Sequence, residues 1–220
     1  MKEWSKKFMK SLLIDTSDQV LSIAVTDEII LGEININIKR THSETLMPYI
    51  AELLDMVKVE KNELEQIIVS NGPGSYTGIR IGVTVAKTLA VALNLPLYTV
   101  SSLFVMAASY RGVVAPVIDA RRGNVYGAIY ELDGNSFDVI KEPEHMDFAA
   151  FNEEVKKYGA QIIMNTALKR NFEAEVTHVM SRIGNVVNYK GALVPVDAHE
   201  VVPEYLRISE AEKNWMEKNQ

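Results

Sequence analysis

Asn71-Gly72-Pro73-Gly74-Ser75-Tyr76-Thr77-Gly78-Ile79-Arg80-Ile81-Gly82 follows a β-type apolar run, Ile67-Ile68-Val69, and opens a long helical pattern over 78–93. Glycines and a proline at a strand-to-helix junction mark a backbone that turns tightly and packs closely. Such a junction sets unpaired N–H groups at the positive end of a helix, where an anion is stabilised. The two common phosphate loops nevertheless do not fit. A Walker loop needs Lys and then Ser or Thr after its last glycine, and Gly78 is followed by Ile79 and Arg80. The dinucleotide fingerprint allows two residues between its second and third glycines, and here three stand there, Ser75 to Thr77. A nucleophile elbow fails as well, because Thr77 occupies the place of its final glycine.

Before the junction, residues 12–14 read as a buried strand ending in Asp15-Thr16-Ser17, and 20–25 and 29–38 as two more strands joined at Asp27-Glu28. Residues 41–57 are amphipathic, with Leu46, Ile50, Leu53, Leu54 and Val57 on one face. A cap at Ser43 or Thr45 would keep Pro48 near the first turn of that helix. A strand at 66–70, the helix at 78–93 and a strand at 97–100 complete a βββαβα order. A second start follows: a strand at 114–118 ending in Asp119, the turn Ala120-Arg121-Arg122-Gly123, strands at 125–132 and 137–140, a helix at 148–158, a strand at 161–165 and a helix at 175–187. Two strands ending in Asp, at 15 and 119, predict a duplicated α/β lobe, with a cleft between the copies near the strand C-termini.

In the helix at 78–93, Gly82, Ala86 and Ala90 recur every four residues and make one small-residue side. Ile81, Val83, Val85, Leu89 and Val91 make most of the remainder apolar. A helix apolar nearly all round is buried on more than one side. One side meets its own sheet; the small side calls for another helix, either 41–57 of the same lobe or one from a partner subunit.

The chain's 220 residues suffice for one large domain or two small lobes, and 47% hydrophobic with 24% charged residues is ordinary for a globular protein. A net charge of −6 argues against a protein whose main task is holding nucleic acid, so RNA contact is expected to be local or shared with a partner. With no cysteine, disulfides, thiol catalysis and Cys-based zinc sites are excluded, which fits a cytoplasmic protein. The apolar run behind the basic start is too short for a signal peptide or a membrane span. Residues 1–8 are expected to be a mobile extension, 9–100 the first lobe, 101–202 the second, and 203–220 a tail that packs back or docks in a complex.

Leu13-Ile14-Asp15-Thr16-Ser17, His42-Ser43 with Leu46 and Pro48, the block from Gly72 to Gly82, Ile118-Asp119-Ala120-Arg121 with Gly123 and Val125-Tyr126, and Pro203-Glu204-Tyr205-Leu206-Arg207 together resemble the TsaB (YeaZ) family. The resemblance covers nearly the whole chain from Met9. It implies an actin/hexokinase/Hsp70-like (ASKHA) fold of two ribonuclease-H-like lobes, the second reduced. It also implies a subunit of the machinery that makes threonylcarbamoyladenosine (t6A) in tRNA. Such chains pair through their first-lobe helices with the catalytic paralogue TsaD, and the P-loop ATPase TsaE joins the pair. When TsaD is missing they self-associate through the same helices, and tRNA is reached only through the complex. The residues expected on that partner face are Leu46, Ile50, Leu53, Tyr76, Arg80, Gly82, Val83, Ala86, Lys87 and Ala90, so that Ala86→Arg should block association in a folded monomer.

The residues expected to line a vestigial nucleotide cleft are Asp15, Thr16, Ser17, Asp119 and Arg121. The first turn carries no glycine until Gly32, and Asp18 adds negative charge where ATP-using relatives hold phosphate. Asp119 reads as a turn cap, with Arg121 open to phosphate or a partner carboxylate. His42, His145, His178 and His199 stand far apart, and no pair falls within one helical turn, so no metal site is expected. The reading is of a non-catalytic scaffold with no cofactor of its own, ATP and metal belonging to its partners. The alternatives are an ATP-dependent small-molecule phosphotransferase of the same fold and a peptidase, the latter lacking any visible metal or nucleophile constellation.

Overall fold

Two mixed sheets stack face to face in the computed structural model of the chain, which describes residues 9–37, 42–164 and 176–206. The order is β1 (Ser11–Asp15), β2 (Val20–Thr26), β3 (Ile30–Asn37), α1 (His42–Val57), β4 (Gln66–Gly72), α2 (Tyr76–Leu93), β5 (Leu97–Ser101) and α3 (Ser102–Ala107). Then come β6 (Gly112–Arg121), β7 (Asn124–Leu132), β8 (Phe137–Asp147), α4 (Phe148–Tyr158), β9 (Gln161–Met164), β10 (Val176–His178), a 3₁₀ segment (Ile183–Asn188) and β11 (Val194–Val196). The first sheet runs β11-β5-β4-β1-β2-β3 and the second β10-β9-β6-β7-β8. Leaving β11 aside, the two orders are one pattern written twice. In each copy three antiparallel strands are followed by two parallel additions on the far side of the first strand. This is the duplicated ribonuclease-H-like lobe of the ASKHA fold.

Burial on both faces explains why the first-lobe strands read as unbroken apolar runs rather than alternating ones. Leu12, Ile14, Ile23, Ile67 and Val69 face α1 and α2, in one core with Leu46, Ile50, Val83 and Ala86. Leu13, Ala24, Ile68 and Val100 face the other way, into a core shared with Leu103 to Ala108, Val114, Ile118, Ala128 and Ile163 of the second lobe. A third core of Val117, Val125, Ile129, Phe151 and Val155 holds α4 on the outer face of the second sheet. Full burial of one Leu or Ile side chain contributes about 1.5–3 kcal/mol, so the shared middle layer binds the lobes firmly.

Four expectations are corrected. Helix α1 begins at His42, not at a cap on Ser43 or Thr45, which places Pro48 inside it. Pro48 is exposed, so the carbonyl it leaves unpaired can turn to water while Thr45, Leu46, Ile50 and Leu53 anchor the opposite face. The stretch after residue 101 holds α3, every residue of which is buried. The helix expected over 175–187 is instead β10, completing the parallel edge of the second sheet, followed by a 3₁₀ segment. Val176 and Thr177 are β-branched, and Gly184 lies where a side chain would crowd Ile30 and Glu33. Finally β11 pairs with β5, so a strand not foreseen from the sequence, Val194–Val196, forms the edge of the first sheet. The expected extension 1–8, Ile38, and the tail from Arg207 onward lie outside the described residues.

The two lobes are also strapped by polar contacts. Glu33 on β3, its side chain 5% exposed, accepts from Arg182 Nε and Nη2 at 2.8 and 2.7 Å and from the Gly184 amide at 3.0 Å. The neighbouring Ile183 amide donates to Ser22 Oγ at 3.0 Å.

Candidate functional site

The turn after β1, expected to line a vestigial nucleotide cleft, is filled from within. Asp15, Thr16 and Ser17 are all buried. Asp15 Oδ1 accepts from the Ser17 amide at 2.9 Å, closing a local turn. Burial raises the pKa of Asp15 above the usual carboxylate value, against hydrogen bonds from Ser17 and Ser70 that lower it; the charge of Asp18 pushes it further up. Thr16 Oγ1 donates to the Gly78 carbonyl at 2.7 Å, and the Ser75 amide donates to the Ser17 carbonyl at 2.7 Å.

That packing accounts for the glycine block. A Cβ on Gly74 would strike the Ser17 carbonyl, one on Gly78 the Thr16 carbonyl, and one on Gly82 the Thr16 hydroxyl. Spaced four apart, they lay one edge of α2 directly on the first-lobe turn. The helix N-terminus is satisfied in place: Ser75 caps it, accepting from the Gly78 amide at 3.2 Å. The anion suggested by the sequence therefore meets a socket occupied by Thr16 and Ser17.

The small-residue side of α2 consequently faces its own sheet and not another helix. Of the ten residues expected on a partner face, Leu46, Ile50, Leu53, Gly82, Val83, Ala86 and Ala90 are buried in the lobe's core. Ala86 is 0% exposed, so Ala86→Arg would disrupt the monomer itself. Tyr76 and Arg80 are exposed, and Lys87 is half-buried. Lys87 Nζ donates to the carbonyls of His199 and Val201 at 3.3 and 3.5 Å. What α2 does present outward is one wall of a groove of about 480 Å³, lined by Ser43, Leu46 and Met47 of α1 and by Tyr76, Thr77, Arg80, Ile81, Thr84 and Val85. Arg80 is the one charged residue in that lining. Its guanidinium donates to Tyr76 Oη at 2.7 Å and lies 5.1 Å from the Tyr76 ring centre. The ring of Tyr205 stacks on Tyr76 at 5.2 Å.

The second-lobe turn repeats the first in outline. Asp119 Oδ1 accepts from the Arg121 amide at 2.8 Å, as Asp15 does from Ser17. Yet Asp119, Arg121 and Arg122 are exposed, and Arg121 and Arg122 hold φ of +64° and +50°. The structure thus leaves Asp15 with Thr16 and Ser17 sealed under α2, and Asp119 with Arg121 at the surface. Elsewhere, His42 opens α1 with Nε2 2.7 Å from the Asp18 carbonyl. Among the described residues no group of three or more metal-ligating side chains converges. Helix α2 has the length and apolarity of a membrane span, with a mean hydropathy of 1.2, but it lies against the first sheet. Sequence reading missed the groove lining at Ser43, Met47, Thr77, Thr84 and Val85. The single signal available was the scarcity of charge on that side of both helices, Arg80 alone breaking it.

The family model described as TsaD, tRNA N6-adenosine threonylcarbamoyltransferase, matches residues 29–193. The chain is 34% identical to the tRNA threonylcarbamoyladenosine biosynthesis protein TsaB of Bacillus subtilis over 226 aligned positions, spanning 95% of this chain and 99% of that protein. It is 34% identical to the TsaB protein of Escherichia coli over 144 positions, covering 62% of this chain and 61% of that one. YeaZ from Pseudomonas aeruginosa superimposes with a TM-score of 0.75 at 24% identity, over 90% of this chain and 100% of that one, which shows a shared fold.

Proposed function

This chain belongs to the TsaB (YeaZ) family and so to t6A biosynthesis in tRNA, and we propose that within it the chain is a non-catalytic scaffold subunit. In this reading it is required for threonylcarbamoyl transfer to the adenosine next to the anticodon. It pairs with and positions a TsaD-like catalytic subunit, recruits a TsaE-like ATPase, and forms a homodimer when the TsaD-like subunit is missing. It works in the cytoplasm, without a membrane, and reaches tRNA only through the complex. The observation that carries the reading is the filled first-lobe turn. With Gly74, Gly78 and Gly82 pressed on Thr16 and Ser17, the polyphosphate position of an ATP-using lobe is taken by the protein's own backbone. The groove between α1 and α2 supports the pairing, because it is apolar, open and lies on the first lobe.

Nucleoside mass spectrometry of tRNA from cells depleted of this protein tests the pathway: t6A is expected to fall, and unchanged levels after verified depletion would reject it. Calorimetry with Mg-ATP separates the scaffold from the phosphotransferase reading, and the isolated chain is expected to give no heat at millimolar nucleotide. Thr84→Arg places a long cation in the groove without touching the core. It is expected to leave unfolding unchanged and to weaken pairing with the TsaD-like subunit at least tenfold, about 1.4 kcal/mol. Normal pairing by that variant would move the partner face elsewhere.

A further inference from the structure

We propose that Arg121 and Arg122, at the tip of the β6–β7 hairpin, are phosphate contacts to the RNA backbone of tRNA held in the complex. The proposal rests on the complex proposed above and adds a direct contact with the substrate to the scaffold. The hairpin closes through three successive left-handed residues, Arg121, Arg122 and Gly123, at φ of +64°, +50° and +93°. A register shift between Asp119 and Arg121 bulges the ladder there. Bulges re-aim side chains, and the residues such a backbone favours are Gly, Asn and Asp, not Arg. Elsewhere among the described residues a non-glycine residue is left-handed only at Lys58 and Asn94, directly after the last residues of α1 and α2. Helix ends account for those two. No helix ends at the arginines, and strain kept at such a place points to function.

Both arginines are exposed, and among the described residues Arg121 is engaged only through its amide, on Asp119 Oδ1. Other cations stand beside carboxylates: Lys141 by Glu144, Lys156 by Glu153 and Arg182 by Glu33. The carboxylate across the ladder is already used, since Asp147, paired with Asn124, accepts from the Ala149 and Ala150 amides at the start of α4. Two guanidinium forks on adjacent residues suit phosphate oxygens, which they can bind bidentately. RNA is the macromolecule this pathway must hold. With a net charge of −6 the chain can offer it a local contact and not a broad basic face. A carboxylate on a partner protein is the competing ligand.

The test uses the full chain paired with the TsaD-like subunit, and tRNA lacking t6A. Pairing is measured first, then tRNA affinity from about 50 to 200 mM salt. Arg121→Gly/Arg122→Asn gives the turn residue types its backbone favours, so the melting temperature is expected to hold or rise and pairing to stay unchanged. Its tRNA affinity is expected to fall about tenfold, and the slope of log K against log salt to shrink by about 1–2. Arg121→Lys/Arg122→Lys retains both charges and is expected to retain the slope. Unchanged tRNA affinity and slope in the first variant would overturn the proposal. Weakened pairing would do so too, by assigning the arginines to a protein carboxylate. A wild-type chain that fails to pair removes the scaffold reading as well, whereas normal pairing with unchanged tRNA binding removes this proposal alone.

Discussion

The Asp15 and Asp119 turns share one device in two settings. Asp15 ends the first strand of its lobe and Asp119 lies two residues before the end of its counterpart, and each accepts from the amide two residues on, at 2.9 and 2.8 Å. In the first lobe α2 presses its glycine edge onto the turn and seals it. In the second lobe the turn stays at the surface and carries arginines where its backbone favours glycine or asparagine. A duplicated lobe thus keeps its local hydrogen bond while its surroundings change from socket to open edge. The shared hydrogen bond is kept, while the backbone beyond it differs: the second turn passes through left-handed Arg121 and Arg122, and the first lies under the glycine edge of α2.

The comparison breaks most easily at Gly78. Gly78→Ala gains helix propensity worth about 1 kcal/mol, but its Cβ meets the backbone carbonyl of Thr16, which has nowhere to go. A net loss of about 3 kcal/mol in urea unfolding is expected. Next, Asp15→Ala strands the buried Ser17 amide and is expected to cost about 2 kcal/mol. Asp119→Ala, at an exposed turn, is expected to cost only about 0.5 kcal/mol. Equal costs would mean that burial does not separate the two turns. Arg122→Gly should go the other way, stabilising by about 1 kcal/mol through relief of the left-handed backbone.

The subtlest effect is in pH. Burial raises the pKa of Asp15 on folding, so the folded state holds that proton more tightly than the unfolded chain. The resulting stability is fully present below the ordinary value of 3.8 and is lost as pH rises through the folded value. Asp15→Asn keeps the acceptor and lacks the charge. Wild type should therefore lose stability relative to Asp15→Asn as pH climbs above 4, and a flat difference would place the carboxylate in contact with water.

Much of this was legible in the chain. Asp15 and Asp119, each closing a strand, announced the duplication, and the block from Gly72 to Gly82 fixed the strand-to-helix junction. What the glycines touch was not legible, because close approach to Thr16 and approach to a partner helix leave the same residue types. Helix α3 was missed because a wholly buried helix shows no polar stripe to set its period. The helix expected at 175–187 failed where Gly184 and the strap to Glu33 overrode local pattern. The groove depends on two helices 34 residues apart at their starts, 42 and 76, and no local window joins them.

Strand β11 gives the molecule an order in time. Strands β1 to β5 can assemble once about the first hundred residues have been made, yet the outer edge of β5 waits for Val194–Val196. At roughly 5–20 residues per second on the ribosome, the intervening 93 residues (194 − 101) take about 5 to 20 seconds. Throughout that interval the newborn first lobe shows the unpaired outer edge of β5, open to mispairing with neighbouring nascent chains. Strand β11 is thus the last stitch of the part that was begun first, and chains cut short before Val194 should aggregate during synthesis even with their first lobe intact.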